Sequence, residues 1–566
     1  MRLPIILLLS AIFISPASYD LHNRSADERL RELIAVYGQA LVTIDYPGFD
    51  RATDIGRTLS LDRYENGLLR IILTEATIDS FMKLGLPYKI VEPGYPKAIL
   101  NASSVTDAMQ WQSYPTYTQY DSIVHLLASQ YPELCRVDTI GESVQGRLIL
   151  SMKISSDVSF DDPVKPELFF TSTMHGDELA GFVLMLRLAE YLLENYGDDP
   201  AVTSLLNNLQ IYINPISNPD GTYRSDDYIS NPRRANSNGF DLNRNYPSPD
   251  NSGVTLQKET IDMIAFMEER RFVLSANFHS GAEVLNYPWD RWLDRIHADD
   301  DWFVRLCREY ADTVHLYARD GYMRMFDNGI VRGAVWYAIT GSRMDFVTYE
   351  LQGREVTIEL DNTKITPADS LESLWQYNYR SLLNYLAFAL NGVKGTVTDS
   401  DSGMPLFAEI TIAEHDRDNS QVYSCSNSGT YLRMLDEGVW DIQFSAAGYH
   451  DTVVTGVATG YDGYTTLDVE MRPLSTGDTA VTEGSMVIMP NPAAHYTRIL
   501  LPAALEGEVT IRIVSIAGRV LYSAIKSYYS DAPLLLDTSQ LPPGLYLVKA
   551  GRRDERSLAT GMLIIR

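Results

Sequence analysis

The sequence predicts an α/β domain with a mixed, mostly parallel sheet flanked by helices. A small α+β module precedes it and two β-sandwich domains follow. Three observations lead there. Between Tyr114 and Asn391, apolar runs such as LILSMKI, ELFFTST, LQIYINPIS, FVLSANFHS and EVTIEL alternate with helical stretches such as LAGFVLMLRLAEYLLENY, which is the alternation of a buried sheet wrapped by helices. After Asn391 the helical period vanishes, and short alternating strands separated by Asp, Ser and Gly turns take over. The length of 566 residues is several times what one core requires, so two to four domains are expected.

The elements follow in chain order. Residues 1–18, MRLPIILLLSAIFISPAS, combine one arginine, an apolar run too short to span a bilayer comfortably, and small residues at the end, the pattern of a secretory signal peptide. No later stretch is long and apolar enough to span, so no stable membrane span is expected once that signal is removed. Residues 19–107 mix helical and β-rich patterns and end in a turn-rich stretch, giving the accessory module. Residues 108–391 form the α/β domain and 392–474 the first β-sandwich. Residues 475–485 are a small, polar, acidic linker, and 486–566 form the last β-rich block, with its MPNPA and LPPGLYL turns. No repeat of fixed period runs through the chain.

Asp and Glu outnumber Lys and Arg by 74 to 47, a formal charge of −27, which argues against a nucleic-acid partner. The three cysteines, Cys135, Cys307 and Cys425, cannot form a disulfide framework, and at least one has no intrachain partner. Whether Cys135 and Cys307 pair is left open by the sequence.

The chemistry concentrates where apolar runs end in polar residues. ELFFTST ends on Met174, His175, Gly176, Asp177 and Glu178, at the carboxyl end of a strand, where open α/β sheets bind ligands. His175 and Glu178 are three apart at an expected helix start, within reach of one ion. FVLSANFHSG delivers His279 from a second strand end. A His, Glu, His set with an open fourth position is the composition of a catalytic zinc site, although other divalent ions suit the spacing. In REVTIELDN, Glu359 alternates with Val356, Ile358 and Leu360, so it points away from the apolar face and can serve as a base beside a metal. The long loop from Ile213 to Asp250 is rich in Asn, Pro, Asp and Arg. There Arg234 and Arg244, helped by Asn243, are candidates for holding a carboxylate or an oxyanion.

These motifs carry a resemblance. HGDE, NPDG, FDLNRNYP, NFHSG followed by NYPWD, VWYAITGSRMD and TIEL resemble, in order and separation, the zinc metallocarboxypeptidases of the carboxypeptidase A and B type. The texture is nearest the carboxypeptidase D, E and N branch. The resemblance covers roughly Tyr114 to Asn391. It implies one Zn2+ per catalytic domain, bound by His175, Glu178 and His279, with Glu359 as general base and acid. It further implies that Arg234 polarises the carbonyl, that Asn243 and Arg244 hold the substrate's C-terminal carboxylate, and that Tyr337 closes over the substrate. The activity implied is hydrolysis of the last peptide bond of peptides and proteins. Asp290, in NYPWD, stands where that branch pairs an acid with Lys or Arg; Met344 and Arg343, in GSRMD, count against a basic preference. Alternatives are a zinc amidase acting on cell-wall peptides and a non-catalytic surface binding or adhesion protein.

The first β-sandwich is similar to the transthyretin-like domain of the same branch, and His415 and His450 within it have no partners at ligand spacing. The last block resembles the C-terminal sorting domain of type IX secretion, which implies the type IX machinery as a partner and a secreted or cell-surface location. The module before Tyr114 is either a propeptide that shields the cleft or an accessory domain.

Overall fold

The computed structural model describes residues 25–92, 99–248, 255–446 and 448–474, and, nearer the C-terminus, 484–489, 493, 496–502, 505–515, 519–529, 533–538, 541–552 and 559–565. The expected signal peptide, most of the expected linker and the Pro490-Asn491-Pro492 turn lie outside these residues. The chain forms two compact units. The first holds residues 1–160, 167–296 and 303–385, and the second holds 161–166, 297–302 and 386–566.

The first unit opens with the helix Ala26–Tyr37, started by a reciprocal capping box between Ser25 and Glu28 and stopped at Gly38 (φ 79°). Four antiparallel strands follow: β1 (Ala40–Asp45), β2 (Ser60–Glu65), β3 (Leu68–Leu73) and β4 (Lys89–Val91), in the order β2-β3-β1-β4. Leu30, Leu33, Val42, Leu61, Ile71 and Phe81 fill their core. From Leu100 onward the chain is bonded to the larger part of the unit. Ala102 N–H donates to the Tyr114 carbonyl and Tyr114 N–H to that of Leu100, both at 2.8 Å. The Asn101 amide both donates to and accepts from the backbone of Ile229, at 2.9 Å each way.

That larger part is built on an eight-stranded sheet: β5 (Cys135–Glu142), β6 (Leu148–Ile154), β7 (Glu167–Ser172), β8 (Gln210–Asn214), β9 (Phe272–His279), β10 (Ala282–Tyr287), β11 (Ile330–Arg332) and β12 (Arg354–Asp361). Their order is β11-β10-β12-β9-β7-β8-β6-β5. The four central strands β12, β9, β7 and β8 run parallel, β10 and β6 flank them antiparallel, and β5 pairs antiparallel with β6. Their continuous apolar sequences reflect burial on both faces, and Phe169, Ile211, Leu274 and Ile358 are fully buried. The carboxyl ends of β7, β9 and β12 therefore share one edge of the sheet. Cys135 is a buried free thiol, so the Cys135–Cys307 bridge is not formed.

In the second unit, Gly392–Asp399 pairs with Thr430–Arg433, Tyr464–Thr466 and Val469–Met471. A second sheet runs Val422–Tyr423, Glu409–Ile412, Gly438–Ser445, Thr452–Thr459. Val393, Val397, Ile410, Ile442 and Phe444 are buried together there. The final block has a five-stranded and a three-stranded sheet, around Ile499, Val509, Ile511, Val548 and Leu563. Among the described residues no helix is long and apolar enough to cross a membrane.

Candidate active site

β7 ends at Ser172, and the chain turns through Thr173 (φ 56°) before the helix Ala180–Glu194 begins. His175 and Glu178 therefore sit on a turn, closed by Glu178 N–H to the His175 carbonyl at 3.0 Å, and not on the first turn of a helix as the sequence suggested. The reason is Gly176. A Cβ there would lie 2.2 Å from the Gly221 backbone, so the turn is wedged against a neighbouring loop and the helix starts only beyond it. His279 is the last residue of β9, directly beside Glu359 of β12 in the parallel register.

His175 Nδ1, Glu178 Oε2 and His279 Nδ1 converge: the two imidazole-to-carboxylate distances are 3.0 and 2.7 Å, and the two nitrogens are 3.1 Å apart. Ligand atoms about 2.0–2.1 Å from one tetrahedral zinc lie roughly 3.3 Å from each other, so this donor set fits such an ion after a small expansion. All three side chains are buried. The far ring nitrogens are engaged as well: His175 Nε2 meets Asp241 Oδ1 at 2.9 Å and His279 Nε2 meets the Asn277 amide at 2.9 Å. Such backing fixes which nitrogen faces the metal. Burial works to raise Glu178, yet His175 and His279 hold it well below the usual carboxylate range. Asp241 is likewise held low against burial, by Arg234 and His175.

Glu359 stands beside this set with Oε2 unbonded among the described residues. Burial, and then the charge of Glu178, push its carboxyl up to about 7, against the pull of His279 and Arg234. A bound cation would lower it again. A buried carboxylate with a free oxygen can both take and return a proton.

Arg234 donates from Nη1 to Glu178 Oε1 and from Nε to Asp241 Oδ2, both at 2.9 Å. Arg244 lines the same cleft, as do Asn243, Tyr337 and Asp290. Its Nη1 donates to the Asn243 carbonyl (2.8 Å) and its Nη2 to the Leu61 carbonyl (2.9 Å), while Nε has no partner. Leu61 belongs to β2, so the N-terminal module occupies one end of the Arg244 guanidinium. Neighbouring residues of β2 deepen the contact: the Ser60 hydroxyl bonds Arg234 Nε at 2.8 Å and also Asp241, Asp62 pairs with Lys364 at 2.6 Å, and Arg63 donates to the Gly281 carbonyl. Gln39 accepts from Arg234 N–H at 3.0 Å. Tyr337 packs against the module's core, and burial pushes its hydroxyl up to about 12 against Arg244 and Arg234.

In the same cleft, Asp290 is 2 % exposed. Burial raises its carboxyl despite hydrogen bonds from Asn286 and Ser342. The two features of GSRMD weighed against a basic preference are located elsewhere. Arg343 is fully buried, pairs with Glu355 at 2.7 Å and lies over the Phe169 ring. Met344 is 1 % exposed and does not line the cleft. Ser342 caps the helix Arg343–Tyr349 by accepting from Asp345 N–H, and that helix carries both side chains into the packing.

Residues 120–381 match the family model described as zinc carboxypeptidase, and residues 487–565 that of the secretion system C-terminal sorting domain. Human carboxypeptidase D is 35 % identical over 341 residues, 57 % of this chain and 24 % of that one. Mouse carboxypeptidase M is 33 % identical over 350 residues, 59 % of this chain and 78 % of that one. This chain belongs to the zinc carboxypeptidase family. It spans about a quarter of the human carboxypeptidase D chain and most of the carboxypeptidase M chain. Among solved structures, carboxypeptidase A from Helicoverpa armigera aligns with a TM-score of 0.47 and 18 % identity, over 62 % of this chain and 97 % of that one.

Three residues that the sequence does not flag, Asp241, Asn277 and Lys364, touch the three donors. Asp241 stood in the quoted FDLNRN motif, two residues before Asn243, which was the available signal. A second group, Asp299, His415 and Asp416, lies in the second unit and surrounds Arg433, whose guanidinium bonds Asp299 at 2.8 Å and Asp416 at 2.6 Å. His415 thus has acidic neighbours that sequence spacing hid, and their charge is already matched by an arginine.

Proposed function

We propose that the chain is an exported zinc-dependent carboxypeptidase that hydrolyses the C-terminal peptide bond of peptides and proteins, with a preference for C-terminal Lys and Arg. The observation that carries this reading is a single cleft holding a three-donor metal set, a buried carboxylate with a free oxygen, an arginine fork met only by backbone carbonyls and a buried acid. When bound, zinc supplies Lewis acidity to the scissile carbonyl and to water. Arg244 and Asn243 hold the substrate's terminal carboxylate, which fixes the last peptide bond in the cleft and makes the enzyme an exopeptidase. Glu359 Oε2 takes the proton of the attacking water and returns it to the leaving amine. Arg234 donates to the oxyanion that develops, and Tyr337 covers the substrate. Asp290 receives the cationic side chain, which supplies the countercharge its buried carboxyl lacks.

The N-terminal module acts as an inhibitory segment, because the Leu61 carbonyl takes the donor that the substrate carboxylate needs and β2 crosses the cleft. The transthyretin-like sandwich is structural. The C-terminal sorting domain, after a signal peptide, directs export through a type IX system to the surface or the medium.

The test is release of single residues from matched peptides ending in Arg or Phe, before and after a nick upstream of Ile99. Release after the nick, lost with a chelator and in Glu359→Gln, supports the reading. No release from either peptide after the nick would refute it, and a preference for Phe would refute the basic assignment alone.

A further inference from the structure

Asn286 lies in β10, opposite Thr357 of β12 and beside Val331 of β11, and is 7 % exposed beside Asp290 in the cleft. Its Nδ2 donates to Asp290 Oδ1 at 2.9 Å. A carboxylate can only accept, so the chemistry fixes which end of the amide faces Asp290 and leaves Asn286 Oδ1 facing elsewhere. That oxygen is buried and has no hydrogen-bond partner among the described residues. A buried acceptor left unmet is destabilising, and native structures retain few. Gly333 packs against both groups: a Cβ there would lie 2.1 Å from Asp290 Oδ1 and 2.7 Å from Asn286 Oδ1. Only a glycine lets the two oxygens lie this close to its backbone, and all three residues line the cleft.

We infer that Asn286 is a second specificity-determining residue, forming with Asp290 a two-acceptor seat that selects a C-terminal arginine over a lysine. This rests on the basic-carboxypeptidase reading above. A guanidinium presents five N–H donors in a rigid planar fork, and can give one edge to Asp290 while meeting Asn286 Oδ1 with another. An ammonium is a compact point charge, satisfied by Asp290 without needing the amide oxygen. Met344 offers no acceptor here, so the second contact falls to Asn286.

The test uses three peptides alike except for a terminal Arg, Lys or Leu, assayed on the nicked full chain as wild type, Asn286→Ala, Asn286→Leu and Asp290→Asn. Calorimetric binding of free arginine and lysine reads the same seat without turnover. Wild type should favour Arg over Lys. Both Asn286 variants should lose roughly 10- to 100-fold in kcat/KM on Arg, far less on Lys and nothing on Leu, as expected when a site built to hydrogen-bond a group loses one partner. Arginine binding should weaken in parallel. Equal loss on all three peptides, or unchanged arginine binding and cleavage, overturns the inference. If Asp290→Asn abolishes Arg cleavage while the Asn286 variants change nothing, only this inference fails. If Asp290→Asn leaves Arg cleavage intact, the basic-specificity reading fails with it.

Discussion

Substituting Asp62 by Asn tests the proposal that the N-terminal module holds the cleft shut. The Asp62 side chain is 9 % exposed and meets Lys364 Nζ at 2.6 Å, while the lysine side chain is 25 % exposed. Losing the carboxylate does not orphan the ammonium, because Asp177 and Glu178 each lie 3.8 Å from it. The cost therefore falls between the roughly 0–1 kcal/mol of an exposed pair and the roughly 3–5 kcal/mol of a broken buried one. A figure of about 1.4 to 2.8 kcal/mol opens the closed state some 10- to 100-fold. The assay is the initial rate of the un-nicked chain on a peptide ending in Arg, relative to the same chain after the nick. Asp62→Asn should raise the un-nicked rate by that factor and leave the nicked rate unchanged, since Asp62 belongs to the module. The reasoning is refuted if the folded, un-nicked variant stays at the wild-type rate, or if un-nicked wild type already works as fast as the nicked chain.

Glu359→Gln removes the proton carrier but keeps the side chain's size, so kcat should fall about 10²- to 10⁴-fold while zinc content, read by metal analysis, stays at wild type. Arg244→Ala should lower kcat/KM by roughly 100-fold on peptides with a free terminal carboxylate; peptides capped by an amide should respond far less, and equal losses on both would count against the clamp. In the second unit, burial works to raise Asp416, but Arg433 and then His415 hold it down at about 2. Its folded pKa lies below the unfolded value, so the stability it contributes, about 2 kcal/mol, is present above about pH 4 and lost as pH falls through 2. Asp416→Asn should lower the sandwich's thermal midpoint at pH 7, with the gap to wild type closing towards pH 2; a gap that persists there would contradict this account.

The reactive end of the sheet was legible because a buried strand tolerates polar residues only where it emerges. ELFFTST, FVLSANFHS and EVTIEL each break into charge or imidazole at one end, and their parallel pairing brings those ends together. The helix start expected at His175 was misread, since a close approach of two backbones at Gly176 is invisible to periodicity. Asp241 backs His175 from 66 residues away, a pairing that only the folded loop creates. Arg343 read as a cation beside the pocket because neighbours in sequence were assumed to share a direction. One helical turn sends it to Glu355 instead. The occlusion of Arg244 by Leu61 was equally unreadable, because the contact is made by a backbone carbonyl, which carries no sequence signal.

The meeting of Gly176 and Gly221 has a mechanical consequence. Arg234 follows a loop whose backbone is laced to that same spot, Gly176 N–H reaching the Arg234 carbonyl at 3.3 Å and Arg233 N–H the Gly221 carbonyl at 2.9 Å. The Asn218 amide ties the carbonyls of both Met174 and Arg234. The turn bearing His175 and Glu178 and the loop bearing the guanidinium are thus one rigid casting. Neither can be retuned without displacing the other, whereas Asn286 and Asp290, proposed above as the side-chain seat, lie outside this lacing, on β10 and the loop after it. On that proposal, a change of preferred side chain requires no movement of the turn or of the Arg234 loop.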